Sequence, residues 1–193
     1  MMIESQGLEL EIHPLAPERW PDLEKLFGKN GAYSGCWCMY WHVTRSEFNK
    51  NAGEGNRLAF KALVDGGEAP GVLAYLDGEP VGWCSLAPRE QYASLERSQV
   101  LKRLDDQPVW SIVCFFIGKP YRERGLLLPL LRGAVAYAAG QGAQVIEAYP
   151  VEAGEKRKPP TSSYMGLAET FRQAGFVEMA RPSQAHVIMR YEV

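Results

Sequence analysis

No stretch of the 193-residue chain approaches the ~20 consecutive apolar residues that a membrane-spanning helix needs. Neither sign of charge is in excess: 21 Lys and Arg against 23 Asp and Glu leave a formal charge of -2. The sequence therefore offers no global basic field for nucleic acid. The opening residues, Met1 to Gly7, have neither a basic start nor an apolar core, unlike a secretory signal. Cysteine is scarce, with four in the chain, and without such a signal these read as reduced thiols in a cytoplasmic protein. Internal repeats are absent, and so is any linker that would divide the chain.

What is present describes one globular domain. The composition, 46% hydrophobic and 23% charged, is too apolar for disorder. A chain of this length buries about 70% of its unfolded surface and needs no disulfide or metal to hold its core. Leu8-Glu9-Leu10-Glu11-Ile12 alternates as a half-buried strand does. Trp20, Leu23, Leu26 and Phe27 fall at helical spacing before Gly28, and a second helix is expected from Thr44 to about Val64, weakened at Gly53-Glu54-Gly55. Residues 72–76 and 81–86 flank the turn dipeptide Asp77-Gly78, a hairpin signature. A short amphipathic piece at 93–104 precedes Val109–Ile117, which is apolar on both faces and reads as a central strand.

Beyond that strand the pattern predicts a helix over 125–139, a strand over 143–151 and a mobile polar loop over 152–163. A short helix at 167–174 and strands at 176–180 and 185–191 complete the chain. The whole is a mixed α/β domain spanning 1–193, with one sheet of about seven strands.

Chemistry concentrates in 110–139. A buried strand passes through Gly118-Lys119-Pro120-Tyr121-Arg122-Glu123-Arg124-Gly125 into a helix. Such a turn gathers unpaired backbone N–H groups at the positive end of the helix dipole, where a phosphate is favoured. Arg122 and Arg124 add bidentate charge, and Gly125 admits close approach of a ligand to the backbone. The bland alternative is a plain strand–turn–helix crossover with two solvated arginines.

Arg122-Glu123-Arg124-Gly125-Leu126-Leu127 after an apolar strand resembles the Arg/Gln-x-x-Gly-x-Gly/Ala pyrophosphate loop of the GNAT acyltransferases. The likeness extends through Leu130-Leu131 and Ala134 to Ala138 and resumes at Ala168 to Phe176. It implies a mixed, strongly twisted sheet flanked by helices on both faces. It also implies direct transfer of acetyl from acetyl-CoA to an amine, with no metal. Phe115, Phe116, Ile117, Arg122, Arg124, Gly125, Leu126, Leu127 and Phe171 would then face coenzyme A, and an N–H near Phe116 or Ile117 would polarise the thioester carbonyl. Two positions depart from the family. Leu127 stands where Gly or Ala is usual, and Phe171 stands where a general-acid tyrosine is frequent.

An amine with a pKa of about 10.4 must lose its proton before it attacks, and the departing thiolate benefits from an acid. Glu147, alone in an apolar strand, is a candidate base, or else a carboxylate paired with an arginine on the sheet face. Tyr149 shares its parity and either donates a proton or packs in the core. Tyr164 is the remaining candidate acid, or a loop tyrosine touching coenzyme A.

Between the first two helices, Tyr33, Trp37, Tyr40 and Trp41 would line the acceptor site by family analogy, or else anchor an irregular loop. Cys36, Cys38 and His42 offer three ligand atoms but not a usual zinc spacing. The expected acceptor is a small-molecule primary amine, with neither nucleic acid nor membrane as partner, and relatives that dimerise leave a homodimer open. Two rival readings stand beside this one: a CoA-binding regulatory module that has lost transfer, and a protein N-acetyltransferase.

Overall fold

The computed structural model describes residues 1–5, 8–152 and 164–193. Asp77 and Gly78 both take positive φ, 52° and 76°, and so form the tight hairpin turn between β3 (Gly71–Leu76) and β4 (Glu79–Pro88). Around this hairpin runs an antiparallel meander: β1 (Met2–Ser5), β2 (Leu8–Pro14), β3, β4 and β5 (Trp110–Ile117). After a crossover helix, β6 (Val145–Ala148) pairs parallel to β5, and β7 (Val177–Ala180) and β8 (Ile188–Glu192) complete one eight-stranded sheet. The strand order is β1-β2-β3-β4-β5-β6-β8-β7.

Alternation along β3 sorts its side chains between two cores. Val72 and Ala74 face the crossover helix α5 (Leu127–Gly140) and α6 (Ala168–Gln173), while Leu73 and Tyr75 face α1 (Trp20–Phe27) and α3 (Glu54–Asp65). Helices thus cover both faces, as the family resemblance implies. Helix α5 lies unusually close to the sheet, because a Cβ at Gly133 would stand 2.6 Å from Ile12 Cγ1.

The structure differs from the sequence pattern at element boundaries. An eighth strand, β1, pairs with β2 along Met2↔Glu11 to Ser5↔Leu8, an edge pairing that four residues without alternation do not announce. The helix expected from Thr44 to Val64 is two: α2 (Arg45–Lys50), closed by a Thr44–Glu47 capping box, and α3. The break lies at Gly53, whose φ of 85° suits glycine and whose N–H donates to Gly35 O at 3.0 Å. Of the piece at 93–104, only α4 (Ala93–Glu96) is helical. The basic run Lys156-Arg157-Lys158 and most of the expected 152–163 loop lie outside the described residues. Among the described residues no helix is long and apolar enough to cross a membrane.

Candidate active site

Strands β5 and β6 share only three rungs, Trp110↔Ile146, Ser111↔Glu147 and Ile112↔Ala148. A bulge at Val113, where Ser85 and Leu86 pair with Cys114 and Ile112, changes the facing of β5 just where the two strands part. Past the bulge the antiparallel ladder to β4 uses the N–H groups of even-numbered residues, as the bond from Gly118 N to Val81 O marks at 2.9 Å. The N–H groups of Phe115 and Ile117 therefore point away from β4, toward the splay.

Of the two, Phe115 N–H donates to Tyr164 O at 2.6 Å. The chain from Tyr164 to Leu167 lies between the separated strands, since Val151 N donates to Gly166 O and Ala168 N to Val151 O, both at 3.0 Å. Ile117 O accepts from Arg122 Nε at 3.0 Å, and by the parity of the ladder Ile117 N–H faces the open end of the splay. Between the two positions named from the sequence the ladder selects Ile117, because Phe116 N–H belongs to the β4 side.

The turn into α5 is shaped by two residues of positive φ, Glu123 at 61° and Gly125 at 72°. The first intrahelical bond runs from Leu130 N to Leu126 O at 3.1 Å, so the N–H groups before it gather at the helix mouth. Pro129, within the first turn, has no N–H to leave unpaired. Leu126 is buried, and Leu127 packs half-buried against the α5 core. Arg122 and Arg124 are exposed, their guanidinium carbons 5.6 Å from the Phe116 ring and 5.7 Å from the Tyr121 ring. These donors and charges suit a diphosphate at the mouth, and the splay beside Ile117 suits the arm that follows it.

Phe171 is fully buried, edge-on to Phe115 at 6.0 Å and to Phe176 at 5.0 Å, and forms the floor beneath β5. Glu147 is 1% exposed, with both carboxylate oxygens occupied. Oε1 accepts from Arg89 Nη1 at 2.9 Å and from Tyr149 OH at 2.7 Å, and Oε2 accepts from Arg190 Nε at 2.9 Å. Arg190 in turn holds Asp105 through two bonds, and Arg89 also donates to Tyr149 OH and to Leu101 O. Burial first, and the charge of Glu147 second, push the Tyr149 phenol above its ordinary range. This network lies beside the β5–β6 rungs, below the splay, and realises the arginine pairing that the sequence kept open beside the base role. Its arginine partners carried no local sequence signal, standing 58 and 43 residues away.

Residues 31–38 turn tightly, with Gly31, Ala32, Ser34, Gly35, Trp37 and Cys38 all at positive φ. The turn separates the four aromatic residues expected to line the acceptor site. Trp37 is buried and stacks on Trp20 at 6.1 Å in the α1 core, while Tyr33 is 60% exposed. Tyr40 and Trp41 reach the splay: their rings meet at 4.9 Å, and Tyr40 meets Tyr164 edge-on at 6.4 Å. Burial raises the Tyr164 phenol well above its ordinary range, so it keeps its proton at neutral pH. Cys38 Sγ accepts from Trp83 Nε1 at 3.2 Å inside the core. Among the described residues no three His, Cys, Asp or Glu side chains are arranged to hold a metal.

The sequence profile of the acetyltransferase (GNAT) family matches residues 34–157. Among curated proteins, none matches the chain. Solved structures share its fold. A GNAT-family acetyltransferase from Listeria monocytogenes is 12% identical, with each chain covered in full and a TM-score of 0.61. The PaiA N-acetyltransferase of Thermoplasma acidophilum, solved with coenzyme A, is 13% identical, covering 95% of this chain and 99% of that one at a TM-score of 0.52. Arabidopsis thaliana NAA60, solved with acetyl-CoA, is 16% identical, covering 95% and 99% at 0.50. The strand–turn–helix at 110–140 lies within the matched region for its whole length, and the chain belongs to the GNAT family of acetyltransferases.

Proposed function

We propose that the chain transfers an acyl group, as acetyl, from acetyl-CoA to the primary amine of a small molecule. The observation that carries this reading is the pairing of a splayed strand end, Ile117, with the N–H-rich mouth of α5 only a short turn away. Arg122, Arg124 and the backbone from Gly125 to Leu128 would hold the diphosphate, and Phe115 to Ile117 would line the arm. Coenzyme A supplies the acyl group as a thioester.

Ile117 N–H polarises the thioester carbonyl, an electrostatic contribution that matters most in a water-poor cleft. The Tyr164 hydroxyl, protonated at neutral pH, gives its proton to the departing sulfur and so supplies what Phe171 lacks. The amine enters past Tyr40 and Trp41 and sheds its proton to water at the mouth, because the Glu147 carboxylate is engaged by two arginines. The tyrosine favours transfer over a binding-only module.

A thermal-shift titration with acetyl-CoA, CoA and dephospho-CoA tests the reading. A ligand at about 100 times its Kd stabilises the fold by roughly 2.7 kcal/mol, a readily measured rise in Tm. A saturable rise is expected. No rise at millimolar ligand would remove the donor site from the proposal, and the activity with it.

A further inference from the structure

The acceptor side of the splay carries one more charged group, which neither the family likeness nor the aromatic pattern points to. Arg45, the first residue of α2, places its guanidinium carbon 5.0 Å over the ring of Tyr40. Tyr40 stands edge-on to Tyr164 at 6.4 Å, and the Tyr164 carbonyl sits on Phe115 N–H. A line of contacts therefore runs from the acyl-bearing strand through two tyrosines to a single cation.

That cation has no carboxylate partner among the described residues. Several other arginines are held by acids, Arg57 by Glu24 and Glu54, Arg89 by Glu96 and Glu147, Arg103 by Glu90 and Glu96, and Arg190 by Asp105 and Glu147. What sets Arg45 apart from the exposed Arg122 and Arg124 is its place over Tyr40, on the acceptor side. The acid nearest to Arg45 in sequence is Glu47, and its Oε2 accepts from Thr44 N at 2.9 Å and Thr44 Oγ1 at 2.6 Å. Tyr40 and Arg45 are among the groups whose charges act on the Tyr164 phenol, Arg45 as the cation. A polycationic acceptor would meet an uncompensated positive charge here, whereas an oxyanion meets a planar fork of donors.

We propose that Arg45 determines acceptor specificity and that the acceptor is a primary amine that also bears a carboxylate, an amino acid or a close analogue. This deepens the acyltransferase reading and rests on it. The carboxylate engages the Arg45 guanidinium at the outer end of the site, and the carbon frame lies along Tyr40 and Trp41. The amine then points inward toward Ile117. The bond formed is the amide and the bond broken is the thioester. The ammonium releases one proton to water before attack and a second as the amide forms, while the thiolate takes the Tyr164 proton, which the phenolate regains from water, so that one proton is released overall.

The test compares amines in matched sets: each of the common amino acids, its carboxamide, its decarboxylated amine, and spermidine as a polycation, with acetyl-CoA fixed at saturation. For the best substrate the carboxylated member is expected to exceed its carboxamide at least tenfold in kcat/KM. Arg45→Ala should reduce that ratio to near one by raising KM, with Tm and the acetyl-CoA shift unchanged because the side chain is exposed. Arg45→Lys should retain part of the preference, and Arg45→Glu should turn it toward cationic amines.

Preference for spermidine or a decarboxylated amine, an unchanged ratio in Arg45→Ala, or silence from every carboxylated amine while acetyl-CoA still raises Tm would each overturn the proposal. Loss of the acetyl-CoA shift in the unaltered protein would instead overturn the acyltransferase reading beneath it.

Discussion

The backbone N–H of Phe115 donates to the carbonyl of Tyr164 at 2.6 Å, tying the central strand to the segment that leads into α6. This bond fixes the Tyr164 main chain without using its hydroxyl, so removal of the hydroxyl alone leaves the tie intact. Tyr164→Phe should lower kcat by about 10² while KM for acetyl-CoA and Tm stay nearly constant. Steady-state kinetics beside a melting curve checks the split. A fall in Tm with unchanged kcat would make the residue structural.

Glu147 should behave as a keystone of the buried charge network. Glu147→Gln leaves Arg89 and Arg190 partly unpaired in the core, and breaking such a buried pair costs about 3–5 kcal/mol. Chemical denaturation should show that loss, with activity per folded molecule retained well below the melting range. A stable variant whose kcat collapses would return Glu147 to the role of base.

Arg122→Ala together with Arg124→Ala should weaken acetyl-CoA binding strongly, because both charges flank the mouth of α5. Isothermal titration measures it, and an unchanged Kd would take the diphosphate away from this turn.

Acid stability should fall in two steps. Burial lowers the His42 pKa from 6.5 to about 4, so between those values the unfolded chain binds more protons. The contribution is whole above pH 6.5 and declines as pH falls toward 4. Bonds from Arg172 and Arg181 lower Glu152 from 4.5 to about 2, and its contribution is whole above pH 4.5 and declines toward pH 2. Denaturant titrations across pH 2–7 should show both slopes. His42→Gln should flatten the upper one and Glu152→Gln the lower.

Gly133→Ala sets two effects against each other. Alanine gains about 1 kcal/mol of helix propensity over glycine, but its Cβ would stand 2.6 Å from Ile12 Cγ1 on β2. Overpacking of this kind costs about 1–3 kcal/mol, so a net loss of Tm is expected. In an Ile12→Ala background, itself destabilised by the cavity it opens, Gly133→Ala should cost less than it does in the unaltered chain.

What the sequence announced were the elements whose signal is local. Asp77-Gly78 marked the hairpin, the apolar run at 109–117 marked the central strand, and the glycine-flanked turn at 118–125 marked the helix mouth. What it concealed depends on pairing at a distance. Strand β1 is held by backbone bonds to β2 with no alternation of its own. The arginine partners of Glu147 come from the turn just after β4 and from β8, and nothing near residues 89 or 190 marks them. The aromatic cluster at 33–41 looked uniform, yet six positive-φ residues turn Trp37 into the core and Tyr33 outward. Arg45 had one legible clue, the Thr44-x-x-Glu47 capping box that fixes where α2 begins.

The strand order bears on how the chain is synthesised. Strands β1 to β5 neighbour one another in the order of their translation, so each can pair as it leaves the ribosome. Strand β8, the last in sequence, slots between β6 and β7, and it carries Arg190. Until it arrives, Glu147 lacks one of its two arginines and the sheet is open beside β6. The meander can therefore form early, whereas the half of the sheet beyond β5 closes only when β8 pairs with β6 and brings Glu147 its second arginine.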